Sequence, residues 1–88
     1  MLVDATQYIG AAPFEVAAVQ PGFMVCSAYK WLLCPYTLAF FYAAPHRQNG
    51  NPIEFHDGAR QSNPGHTENT PDYAMAFRDN AHRYDMGE

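Results

Sequence analysis

The sequence predicts an α/β fold built on a partial, mixed β-sheet. A strand tail at residues 2–3 and two apolar runs beginning at residues 23 and 38 mark three strands, and the two connections between them differ in length. The first is long enough for a helical crossover, which makes its strands parallel neighbours. The second is too short for one, which makes the third strand an antiparallel return.

Leu2 and Val3 form the tail of the first strand, and Asp4 follows where it ends. Gly10, Pro13 and Pro21 then punctuate residues 14–20, a stretch whose composition allows about two helical turns. Phe23-Met24-Val25-Cys26 is a continuous apolar run, the pattern of a strand buried on both faces. Residues 38–44 close the sheet, and their Phe40-Phe41-Tyr42 run reads as core. Residues 45–71 read as polar loop, with Asn, Pro, Gly, Ser and His in no periodic order. Asp72 is placed to cap a final helix carrying Tyr73, Phe77 and Ala81 at fourfold spacing. The expected divisions are therefore 1–45, 46–71 and 72–88. Three strands with one or two short helices cannot cover both faces of a sheet, so the chain reads as a piece of a larger domain or of an assembly.

Composition narrows the partners. The net charge is −4 with no block of like charge, which argues against nucleic acid and against an anionic membrane surface. The longest apolar run is far short of a membrane span. Cys26 and Cys34 lack the spacing of a zinc or redox pair and read as small buried residues, and a reduced, cytoplasmic setting is expected. His46, His56, His66 and His82 show no paired ligand spacing and read as solvated loop residues. Arg83 is expected to bond a backbone or a carboxylate, or to form a surface ion pair.

Lys30 is the sole lysine. It follows the second strand closely, and parallel neighbours end on the same sheet edge, where open α/β sheets bind ligands. Asp4 and Lys30 thus face one crevice. Pyridoxal phosphate needs an amine to hold its aldehyde and an anion to keep its ring nitrogen protonated. Lys30 and Asp4 supply these two groups. Gln7 can donate to the phenolic oxygen, and the hydroxyls of Ser27 and Tyr29 stand where they can reach the phosphate.

These residues resemble a known family. Val3-Asp4-Ala5-Thr6-Gln7 together with Ser27-Ala28-Tyr29-Lys30-Trp31-Leu32-Leu33-Cys34-Pro35 looks like the cofactor-binding core of the class V aminotransferases. That family includes cysteine desulfurases, selenocysteine lyases and kynureninases, and shows an Asp-x-x-Gln motif followed by Ser-Gly-His/Tyr-Lys. Arg83-Tyr84-Asp85-Met86-Gly87 is similar to its Arg-aromatic-acid-x-Gly segment. The resemblance implies the large domain of the fold-type I, aspartate aminotransferase-like class. It also implies a homodimer of the full-length parent, an amino-acid-like substrate, and pyridoxal 5'-phosphate held on Lys30 as a Schiff base. Asp4 would then meet the ring nitrogen, Gln7 the phenolic oxygen, and Ser27 and Tyr29 the phosphate. Ala28, Cys34 and Thr37 stand where the family pattern has glycine, a residue that serves positive φ or close backbone approach. Cys34 does not correspond to the desulfurase nucleophile, which lies on a later loop. Without a substrate-binding domain the chain is expected to be inactive alone. The alternative reading is a non-catalytic remnant or interaction module that retains the sheet core.

Overall fold

The computed structural model describes residues 1–54, 59–61 and 76–86. The chain divides into two units, Met1–Arg47 and Gln48–Glu88. The first unit is a small α/β arrangement on a mixed, three-stranded sheet of order β1-β2-β3. Strand β1 (Leu2–Asp4) runs parallel to β2 (Phe23–Ser27), with Leu2 beside Phe23 and Asp4 beside Val25. Strand β3 (Ala39–Ala43) returns antiparallel, with Phe23 opposite Ala43 and Ser27 opposite Ala39. Backbone bonds carry both ladders beyond the strands. The Ala5 N–H donates to the Val25 carbonyl at 2.9 Å, the Ala44 N–H to Gly22 at 2.9 Å, and the Ala28 N–H to Leu38 at 3.0 Å.

The crossover holds helix α1 (Val16–Val19), a single turn where composition allows two. Glu15 at its N-cap makes no side-chain capping bond, and Gln20 closes it in the left-handed region at φ 51. Pro13 and Pro21 bracket the segment, and two of the four helical residues are β-branched valines, so nothing local extends the turn. Val16, Ala17 and Gln20 line a groove with Tyr42, Ala44, Pro45 and His46. Tyr42 pairs with Met24, which puts α1 on the sheet face that carries Met24 and Cys26.

On that face Met24 and Cys26 are buried, whereas Phe23, Val25 and Ser27 on the other are half-buried. Double-sided burial of β2 is therefore corrected to one covered face, because a four-residue helix covers only one side. The aromatic run of β3 is corrected likewise. Phe40 and Phe41 are 53% and 46% exposed, and Phe41 packs against Phe23 across the ladder with ring centroids 5.9 Å apart. The buried residues of this unit are mostly small: Ala5, Pro21, Gly22, Cys26, Ala28, Ala43 and Ala44, with Met24 the largest of the buried hydrophobic side chains. Of the two free cysteines, Cys26 is buried and Cys34 only half-buried.

The second unit replaces two expectations. Within the stretch read as loop, Ala59 is buried and Arg60 bridges antiparallel to Phe77. The Gln61 N–H donates to the Ala76 carbonyl and the Arg78 N–H to that of Ala59, both at 2.9 Å. Phe77 is thus extended rather than helical, with the Arg60 guanidinium 4.3 Å from its ring centroid. Asp72 and Tyr73 lie outside the described residues. Ala81–Tyr84 forms a 3-10 turn capped by Asn80, whose side-chain oxygen accepts the His82 N–H at 3.0 Å. Asn80 offers a local start signal, so the turn begins there. The Arg83 Nη1 donates to the Gln48 carbonyl at 2.6 Å, which selects the backbone among its expected partners. His46 is exposed, and so is His82, whose Nδ1 lies 2.8 Å from Asp85 Oδ2. His56 and His66 fall outside the described residues.

Candidate functional site

Because β1 and β2 are parallel, Asp4 and Ser27 both reach the carboxyl edge of the sheet. The chain leaves β1 in a tight turn, where the Tyr8 and Ile9 N–H groups both donate to the Ala5 carbonyl at 3.0 Å. Thr6, at the start of that turn, donates its N–H to Asp4 Oδ1 at 3.0 Å. Its Oγ1 accepts the Ser27 N–H, also at 3.0 Å. The Thr6 hydroxyl bond, and then the Thr6 amide, hold the Asp4 carboxyl below its ordinary value, so Asp4 is an anion at neutral pH. Burial first, and the Asp4 charge second, push the neighbouring Cys26 thiol up, so it stays protonated.

After β2 the chain makes a compact loop on the buried Ala28, closed by the Cys34 N–H on the Ala28 carbonyl at 3.0 Å and the Leu33 N–H on that of Lys30 at 3.1 Å. Leu33 turns it through the left-handed region at φ 54. Tyr29 stacks on Tyr36 with centroids 4.6 Å apart, and Lys30 Nζ sits 5.1 Å from the Tyr29 ring centroid. The post-β1 turn packs directly on this loop. A Cβ at Gly10, whose φ is +93, would stand 2.8 Å from the Trp31 carbonyl carbon and 2.9 Å from its oxygen. Only glycine permits that approach at that φ.

Lys30 is exposed, and Gln7 and Lys30 share a shallow, open depression of about 410 Å³ with Trp31 and Leu33. The five candidate residues therefore fall into three groups at one edge. Asp4 and Ser27 are joined through Thr6, Gln7 and Lys30 line the depression, and the Tyr29 ring is engaged by Tyr36. Asp4 is outside the lining of the depression. Ala28, Cys34 and Thr37 are not among the positive-φ residues, and the left-handed turn that the Lys30 loop requires is made by Leu33. Ala28 has no exposed surface, so its methyl is part of the core rather than an obstacle at the rim.

Thr6, Gly10 and Tyr36 have structural roles that motif reading passes over. Gly10 reads in sequence only as punctuation, and Thr6 only as a spacer between Asp4 and Gln7. The donor set suits the polar ends of pyridoxal phosphate, with an amine, an anionic carboxylate and a free-standing amide available. The Ser27 N–H is already committed to Thr6, which leaves hydroxyls for a phosphate. Among the described residues no three His, Cys, Asp or Glu side chains gather as metal ligands, and no helix is long and apolar enough to cross a membrane. No family model, no curated protein and no solved structure matches this chain.

Proposed function

We propose that this chain carries part of the cofactor site of a pyridoxal phosphate enzyme of the class V aminotransferase type, acting on amino-acid-like substrates within a larger, homodimeric parent. The observation that carries the reading is the parallel pairing of β1 and β2, with the Asp4 carboxylate and the Lys30 loop at one sheet edge. When bound, pyridoxal phosphate supplies an electron sink for bonds at a substrate's α-carbon. Lys30 Nζ would hold the group and would serve as the base that moves a substrate's α-proton. The Asp4 carboxylate, held ionised by Thr6, would accept the hydrogen bond of a protonated ring nitrogen. Gln7 donates to the phenolic oxygen, and the Ser27 and Tyr29 hydroxyls hold phosphate. A cytoplasmic setting accords with the free thiols.

A second reading, an interaction module without catalysis, is favoured by the openness of the depression and by the apolar surface that Leu2, Phe40 and Phe41 expose. Borohydride reduction of the chain with pyridoxal phosphate, followed by mapping of the adduct by mass spectrometry, separates the two. The cofactor reading expects Lys30 to be labelled at concentrations that leave an unfolded peptide of the same sequence unlabelled, with Lys30→Ala losing the adduct. Labelling no better than that peptide favours the interaction module.

A further inference from the structure

We propose that Thr6 is the positioning residue of this edge, its amide holding the Asp4 carboxylate at the end of β1 and its hydroxyl oxygen holding the Ser27 amide at the end of β2. A threonine hydroxyl has one proton and two acceptor lone pairs. The Ser27 N–H occupies an acceptor lobe of Thr6 Oγ1 at 3.0 Å, which sets the rotor. On the other side of the same residue, the Thr6 N–H donates to Asp4 Oδ1, also at 3.0 Å. The Thr6 side chain, and then its amide, hold the Asp4 carboxyl below its ordinary value.

Two consequences follow from one side chain. The carboxylate is kept anionic and aimed, and the end of β2, three residues before Lys30, is fixed relative to it. The ladder bond from the Ala5 N–H to the Val25 carbonyl holds the two strands in register just inside this link. Gly10 against Trp31 holds the two loops just outside it. Thr6 is the side chain that connects the two layers. Among the described residues, Cys26 on β2 also feels the Asp4 charge, and its thiol is held neutral.

The role of Thr6 toward a cofactor rests on the reading above, whereas its effect on Asp4 does not, so the test reads both. The Asp4 carboxyl is titrated by carbon-detected NMR in the full chain, in Thr6→Val and in Thr6→Ser, together with hydrogen exchange at the Ser27 amide. Thr6→Val is expected to raise the Asp4 midpoint toward 3.8 and to speed exchange at Ser27, with Thr6→Ser restoring both. Labelling of Lys30 by pyridoxal phosphate and borohydride is expected to weaken roughly tenfold in Thr6→Val, the scale of one hydrogen bond to a charged group. A folded Thr6→Val chain with unchanged Asp4 titration and Ser27 exchange overturns the proposal. So does a chain that folds with serine but with neither valine nor alanine at position 6, since that makes the hydroxyl a requirement of folding. An Asp4 shift with no Lys30 labelling in any variant upholds the Thr6 link and overturns the cofactor reading.

Discussion

At Gly10 a single hydrogen in place of a methyl lets the turn after β1 lie against the Trp31 backbone. Gly10→Ala combines left-handed strain with a backbone collision, and we expect it to cost about 2–4 kcal/mol in urea unfolding. Leu33 is the opposite case, an L-residue at φ 54 whose side chain is 89% exposed and contributes little packing. Leu33→Gly removes the left-handed penalty but loosens the unfolded chain, so a net gain of about 0.5 kcal/mol is expected in the same assay. Asp4 makes stability depend on acid. Its folded value is depressed, so its contribution is present above the unfolded value of 3.8 and disappears as pH falls through the folded value. Circular dichroism below pH 3.8 should therefore show the parent losing more stability than Asp4→Asn. The spacing put Asp4 and Lys30 in one crevice, whereas Gln7 and Lys30 share a depression whose lining does not include Asp4. Thr6 was not readable as a link, because its partner Ser27 is 21 residues away and only strand pairing brings them together.

At the scale of elements, β2 carries the unit, since it is the one strand paired on both sides. Cys26 lies buried near its C-terminal end, and Cys26→Ser is expected to cost about 1–3 kcal/mol by burying a hydroxyl there. The Phe23–Phe41 pair is the main aromatic contact between β2 and β3. Phe41→Ala should cost about 1–2 kcal/mol through the lost pair and the lost part-burial, measured by thermal or urea unfolding. Strand existence and direction followed from apolar runs and connection lengths, and both parallel and antiparallel pairings match that reading. The helix was read a turn too long, because a short stretch bracketed by Pro13 and Pro21 and lacking a capping side chain does not sustain a second turn. Phe77 was misread for a different reason. Spacing of Tyr73, Phe77 and Ala81 mimics a helical stripe, yet Phe77 gains more from bridging to Arg60 and lying beneath its guanidinium.

At the scale of the molecule, the described residues of the first unit expose apolar surface at Leu2, Trp31, Tyr36, Phe40 and Phe41, in a chain that is 48% hydrophobic. Phe40→Thr should leave unfolding free energy within about 0.5 kcal/mol while raising the concentration at which light scattering begins, because threonine retains strand propensity and removes aromatic surface. The sequence by itself determined the α/β character, the order and direction of the strands, and the presence of an amine and a carboxylate near one sheet edge, because these depend on local periodicity and on connection length. Only the tertiary structure decided which face of β2 is covered, that β3 stays exposed, and that Thr6 and Gly10 lock the two edge loops together. Those outcomes depend on contacts between residues distant in the chain, whose distances no local pattern encodes.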